Sequence, residues 1–124
     1  MDFAYNDEQK EIIKVVRDLV EKEIVPYASE MDETGKLHEG LLEKLAAQGL
    51  LGVAIPEEFG GAGLDAITIA AIYEELGKGC AGVATTVAAN ALASYPVIIA
   101  GNDDQKKRYF DIINEDNLAA FALT

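Results

Sequence analysis

One cysteine, three prolines and ten basic residues are all that this 124-residue sequence holds of each. Cys80 has no second cysteine to pair with, so no internal disulfide can form and the usual mark of a small secreted domain is missing. Twenty-two acidic residues against ten basic ones give a net charge of -12. Residues 1–62 carry 14 acids and 6 bases and residues 63–124 carry 8 and 4, so neither half is basic. Binding to nucleic acid draws most of its affinity from clustered cations on phosphates. The one basic cluster, Lys106-Lys107-Arg108, directly follows Gln105 and the acidic Asp103 and Asp104. Nucleic acid and an anionic membrane surface are therefore excluded as partners. The opening, Met1 to Glu8, lacks both the basic start and the apolar stretch of a signal peptide, and a cytoplasmic location is expected.

Charge is also missing from the whole run Gly79–Asn102. The run is long enough to cross a bilayer. It nevertheless contains Thr85, Thr86, Asn90, Ser94, Tyr95 and Pro96, and much of its apolar content is alanine. The expectation is a helix buried inside a bundle, not a membrane span.

What is present reads mainly as helix. Asn6 and Gln9 have the spacing of a capping box. Behind them Ile12, Val16, Leu19, Val20 and Ile24 give one apolar face, Pro26 should kink or restart the helix, and Gly35 should end it after Thr34. Leu41, Leu42, Leu45 and Ala46 form a second inward face that ends at Gly49. Leu50–Ile55 is a short apolar run, and residues 56–63 form a loop rich in helix breakers. Asp65 can cap a helix over 66–78, the uncharged helix should span Val83–Gly101, and Asn102 with Gln105 repeats the capping box ahead of a helix to Ile113. Leu118–Thr124 is apolar and looks like the start of a strand, so the sequence reads as a protein cut at a domain boundary. The fold class is all-α: a bundle of five to six helices over 1–117, with 118–124 opening a further, β, domain.

Candidate chemistry is sparse. Gly77-Lys78-Gly79-Cys80-Ala81-Gly82 spells a dinucleotide fingerprint, but a helix precedes the glycines where a strand is required. His38 follows a turn and suits a capping or surface role. Cys80 has no histidine partner and suits buried packing. The adjacent pairs Glu57/Glu58 and Glu74/Glu75 read as solvated faces and caps, and no metal-ligand spacing occurs. These rules alone give a helical bundle without a catalytic constellation.

Four blocks add a family resemblance. Ile55-Pro56-Glu57-Glu58-Phe59-Gly60-Gly61-Ala62-Gly63-Leu64 resembles the I-P-E-x-x-G-G-x-G loop of the acyl-CoA dehydrogenases. Glu74-Glu75-Leu76-Gly77 resembles their E-E-L-(A/G) helix end, and residues 96–109 their P-I-x-x-x-G-x-x-x-Q-K-x-x-(Y/F) segment. Ala120-Phe121-Ala122-Leu123-Thr124 is similar to the start of their flavin-contacting F-A-L-T-E-P strand. The blocks lie in family order along the whole chain, nearest to the medium-chain and short-chain branches.

The resemblance implies the N-terminal helical domain of an FAD-dependent enzyme that oxidises acyl-CoA thioesters to 2,3-enoyl-CoA. A glutamate base, carried outside this chain, takes the α-proton, and the β-hydride goes to the flavin. Of the flavin site only Phe121, Leu123 and Thr124 fall here, so this chain alone is expected to be inactive and not to retain FAD. Ala84, Ala88 and Leu92 lie at i, i+4 and i+8 with Ala89 beside them, and the resemblance makes them a wall for the acyl tail. Close helix packing is the alternative for these alanines. An electron-transferring flavoprotein is the implied partner. It would place one apolar side chain in a hollow of Ile12, Ala62, Leu64 and Ile72 with Glu23 at the rim, and Gln48 stands where a leucine is common. Ordinary core is the alternative for Ile12 and Ile72. The complete enzyme is expected to be a homotetramer, and this chain alone a non-native dimer through its exposed apolar surface. An acyl-CoA oxidase domain or a stand-alone helical interaction module remain open as other readings.

Overall fold

The computed structural model describes residues 4–114 and 117–123, and these fold as six α-helices with short 3-10 and π turns between them. Helix α1 (Asp7–Leu19) begins with the expected capping box: the Asn6 side chain accepts from the Gln9 amide at 2.8 Å, and the Gln9 side chain accepts from the Asn6 amide at 3.0 Å. The helix then widens into a π turn over Val20–Ile24 and tightens into a 3-10 turn over Val25–Tyr27 before α2 (Ala28–Thr34). Pro26 explains the change of pitch, since its ring cannot continue a regular α-helix and donates no hydrogen bond. Gly35, at φ 65°, stops α2 as expected. Helix α3 (Leu41–Ala47) buries Leu41 and Leu45, while Leu42 and Ala46 sit at the margin of the core.

Asp65 caps α4 (Ala66–Gly79) by accepting from the Ile67 and Thr68 amides at 2.8 and 2.9 Å. Helix α5 (Ala81–Ala100) follows after the extended Cys80, and α6 (Asp103–Ile113) starts from the Asn102–Gln105 capping box. Helix α4 packs against both α1 and α5. The main core joins Val16, Val20, Ile24, Leu41, Leu45, Ile72, Leu76, Val83 and Val87. A smaller cluster of Ile55, Phe110 and Ile113 lies under the 56–63 loop, with Phe59 stacked on Phe110 at 5.1 Å. Gly79 lets α4 close on the π turn, because a Cβ there would come within 2.5 Å of Val20 Cγ1.

Four expectations change. The buried stripe of α1 runs through Ile13, with Ile12 and Leu19 only half-buried at its edge. Helix α5 is not enclosed by the bundle. Val83, Val87, Asn90, Ala91 and Ser94 pack inward, while Leu92 is 51% and Ile99 81% exposed, because α4, the Leu50–Gly52 turn and α6 leave one of its sides uncovered. Length and composition would let this helix cross a bilayer, but its buried Asn90 and Ser94 are hydrogen-bonded to neighbouring segments. Residues 117–123 form no strand, since no second extended segment lies beside them among the described residues. Glu75 is not a solvated carboxylate: it is buried between α1 and α4, whereas Glu57, Glu58 and Glu74 are exposed as expected.

Candidate functional site

Three parts of the chain meet in one hollow. Ile12, Val15, Val16 and Leu19 recur along α1 at helical spacing and form one wall. Gln48 to Leu50 and Val53, at the end of α3, form the second, and Ala62, Leu64 and Ile72 close the third side. The space measures about 350 Å³. It thus contains Ile12, Ala62, Leu64 and Ile72 together, with the exposed Gln48 at its mouth. Glu23 is absent from its lining; its carboxylate turns to Lys44 instead and holds that ammonium above its usual pKa. Val15, Val16, Leu19, Leu50 and Val53 join the hollow beyond the residues that the family resemblance implies, and the i, i+3, i+4, i+7 series starting at Ile12 contains the first three.

The loop that carries Ala62 and Leu64 is held by its own backbone. Gly63 donates to the Ile55 carbonyl at 2.9 Å, Gly61 to Pro56 at 3.1 Å and Ala62 to Gly52 at 3.3 Å. Asn114 Nδ2 reaches the Phe59 carbonyl at 2.6 Å and ties the loop to the end of α6. A Cβ at Gly61 would stand 2.1 Å from the Ile55 carbonyl oxygen, so only glycine fits.

Among the described residues, two polar contacts join α1 to α4: buried Gln9 Nε2 donates to Thr68 Oγ1 at 3.2 Å, and Arg17 meets Glu75. Arg17 donates to both of its oxygens at 2.9 and 3.1 Å, and Lys78 adds a third contact at 2.8 Å. The Arg17 guanidinium, helped by Lys78, holds the Glu75 carboxyl down at about 2 against the usual 4.5. A carboxylate so firmly ionised makes a poor proton acceptor near neutral pH. Burial pushes the Tyr73 hydroxyl up to about 12, so that group stays protonated. His38 stacks on Tyr27 at 3.5 Å with Nδ1 3.3 Å from Glu30, and Cys80 is half-buried between α4 and α5. Of the fingerprint-like glycines, Gly77 and Gly79 end helix α4 and Gly82 lies in the first turn of α5, with no strand before them, and no cluster of three metal-ligating residues occurs among the described residues.

The remaining candidates lie on α5 and after α6. Ala84 is half-buried and packs against the main core beside Gly77 of α4, Ala88 and Ala89 are half-buried, and Leu92 is exposed, so this side of the helix opens from Ala88 onward. Phe121 and Leu123 are 44% and 78% exposed, and Thr124 lies outside the described residues. No backbone hydrogen bond joins 120–123 to the rest of the described chain, whereas the Ala119 amide donates to Asn90 Oδ1 at 2.7 Å.

The model of the acyl-CoA dehydrogenase N-terminal domain matches residues 6–114. The chain belongs to that family. It is 38% identical to a 3-(aryl)acrylate reductase of Clostridium sporogenes over 94% of its own length and 32% of the relative's. Among solved structures, the butyryl-CoA dehydrogenase of Megasphaera elsdenii aligns with a TM-score of 0.82 at 31% identity, over 95% of this chain and 32% of that one. A Bacillus anthracis acyl-CoA dehydrogenase complexed with FAD aligns at 0.83 and 35% identity, over 97% and 21%. The chain thus spans about a third of the length of the curated relatives it matches. Family membership explains the blocks read in the sequence: the loop motif closes the hollow, and the E-E-L-G motif places Glu75 under Arg17.

Proposed function

We propose that the complete enzyme to which this domain belongs is an FAD-dependent acyl-CoA dehydrogenase in the cytoplasm, acting on acyl-CoA thioesters by α,β-dehydrogenation. The observation that carries the reading is the match of residues 6–114 to the family's N-terminal domain, with one side of α5 left open in it. Bound FAD would supply a ring that accepts the β-hydride, and with it the two electrons of the oxidation. The residues of this chain fit its planar ring with a polar edge: 120–123 offer unpaired backbone groups, with exposed Phe121 and Leu123 beside them. Ala84, Ala88, Ala89 and Leu92 would flank the acyl tail, their small side chains leaving width for it and their apolar surface excluding water. No group of this chain is assigned to the proton transfer, in keeping with the ionised Glu75 and the protonated Tyr73.

Anaerobic addition of butyryl-CoA and octanoyl-CoA to the purified complete enzyme should bleach its flavin absorbance. An enzyme whose flavin stays oxidised with every acyl-CoA offered would refute the reading. The same chemistry in reverse is the second reading, favoured by the reductase at 38% identity, and reduction of an arylacryloyl thioester by the pre-reduced enzyme tests it.

The partner reading assigns the hollow to one apolar side chain of an electron-transferring flavoprotein. A small, transient contact with one seated anchor suits a carrier that must leave quickly. In the complete enzyme, Leu64→Asp should lower the rate with the flavoprotein acceptor severalfold and leave the rate with a small artificial acceptor nearly unchanged. Equal losses with both acceptors would mean a damaged fold, and no loss with either would remove the docking role. A homotetramer is the assembly proposed for the complete enzyme. Alone, the chain should purify colourless and self-associate through Leu92, Ile99 and Leu123, and deletion of 118–124 should move its sizing profile toward monomer.

A further inference from the structure

Asn90 is the one amide side chain in the middle of the charge-free helix, and it is 1% exposed. A buried amide left unpaired there would be costly. Both of its ends are used. Nδ2 donates to the Leu51 carbonyl at 2.8 Å, and Oδ1 accepts from the Ala119 amide at 2.7 Å. One turn further, Ser94 Oγ donates to the Asn90 carbonyl at 2.9 Å. The serine proton is thereby spent, so the Tyr109 hydroxyl at 3.2 Å is the donor to Ser94.

Leu51 belongs to the turn whose neighbours, Leu50 and Val53, wall the hollow. Among the described residues of 117–123, Asn117 is tied to α6 by its side chain, whose Nδ2 donates to the Ile112 carbonyl at 2.8 Å, and Ala119 is the one held through its backbone amide. Asparagine alone among side chains of this size offers a donor and an acceptor on one rigid plane, so it can serve a carbonyl and an amide at once. We propose that Asn90 is a positioning residue: beyond Asn117, its amide plane fixes the register of 118–123 against the turn that walls the hollow. In the complete enzyme, and resting on the flavin reading above, it would set where the 120–123 backbone stands relative to the flavin and link that edge to the partner-facing hollow.

The test separates the clamp from the flavin reading. Amide hydrogen exchange and carbonyl shifts are read by NMR in the 124-residue chain, without any flavin. Asn90→Ala should raise Ala119 exchange about tenfold, the scale of one lost hydrogen bond. Asn90→Asp keeps the acceptor and loses the donor, so it should leave Ala119 protected within about threefold while shifting the Leu51 carbonyl resonance. Equal deprotection by both variants would mean that Asn90 only fills space, and would overturn the proposal. Ala119→Pro removes the amide without touching α5, so it remains informative if the Asn90 variants unfold; it should move the Leu50–Val53 resonances. Unmoved resonances there, or an Ala119 amide unprotected in the unaltered chain, would overturn it too. In the complete enzyme Asn90→Ala should then change the shape of the flavin absorption band. If Ala119 loosens and that band stays unchanged, it is the assignment of 120–123 to the flavin that fails, and the positioning role with it, while the clamp stands.

Discussion

The hollow and the α5 wall both follow from the same family resemblance, yet the structure treats them differently. The hollow is built within the chain: α1, the end of α3, and the loop together with α4 supply its three sides. The wall is a single helix face, with Leu92 and Ile99 turned outward and nothing opposite them among the described residues. A concave site built by one domain has its shape set by that domain's own loops and ion pairs. A site built between domains is only half specified by either. Changes to the supports of the hollow should therefore be costly in this chain alone, and changes to the wall should cost little until the rest of an enzyme is present.

The largest effect is expected at Gly61. An alanine Cβ would lie 2.1 Å from the Ile55 carbonyl oxygen and 2.3 Å from the Ile55 Cβ, too near for either to give way without opening the loop. Gly61→Ala should cost at least about 3 kcal/mol in denaturant unfolding and splay Ala62 and Leu64 away from Ile72. A loss below about 1 kcal/mol would show that the loop shifts freely and that the hollow is less fixed than the comparison holds.

An intermediate effect belongs to Glu75, which helps join the two helices that face each other across the hollow. Because Arg17 is half-exposed, solvent screening reduces the worth of the pair, and Glu75→Gln should cost about 1–2 kcal/mol at neutral pH. The Glu75 carboxyl stands at about 2 in the fold against 4.5 ordinarily. A depressed carboxylate adds stability that is full above about pH 4.5 and is lost as pH falls toward 2. The unaltered chain should therefore lose its advantage over Glu75→Gln across that interval, and the two unfolding curves should converge near pH 2. A constant gap through the whole range would mean that the ionised pair of Glu75 with Arg17 contributes nothing to the stability of the fold.

Much of this was legible beforehand because it depends on local rules. Both capping boxes, the Asp65 cap, the stop at Gly35 and the change of pitch at Pro26 each involve residues a few positions apart. What escaped depends on contacts distant in sequence. Glu75 looked solvated because Arg17, its partner, lies 58 positions away. Helix α5 looked enclosed because an uncharged sequence does not say how many neighbours cover it. Of the hollow, Ile12, Ala62, Leu64 and Ile72 came from family likeness, while Val15, Val16 and Leu19 were recoverable from helical spacing and Leu50 and Val53 only from the fold. Glu23 does not line the hollow and pairs with Lys44, 21 positions away, a contact that local spacing does not reveal.

The smallest effect on this chain is expected at Ala88. It is half-buried on the open side of α5, next to the exposed Leu92. A phenylalanine there has room to turn outward, and alanine is only modestly the better helix former, so Ala88→Phe should change the stability of the 124-residue chain by less than about 1 kcal/mol. In the complete enzyme the same ring would stand in the space proposed for the acyl tail. Activity on long acyl chains should fall while activity on butyryl-CoA is kept, because a short tail ends before it meets the ring. That combination, near-neutral in the isolated chain and selective by chain length in the enzyme, is the signature of a wall whose opposite side lies elsewhere. A destabilised chain with parallel losses on both substrates would instead make Ala88 ordinary helix packing, and α5 would then be as fully specified by this domain as the hollow is.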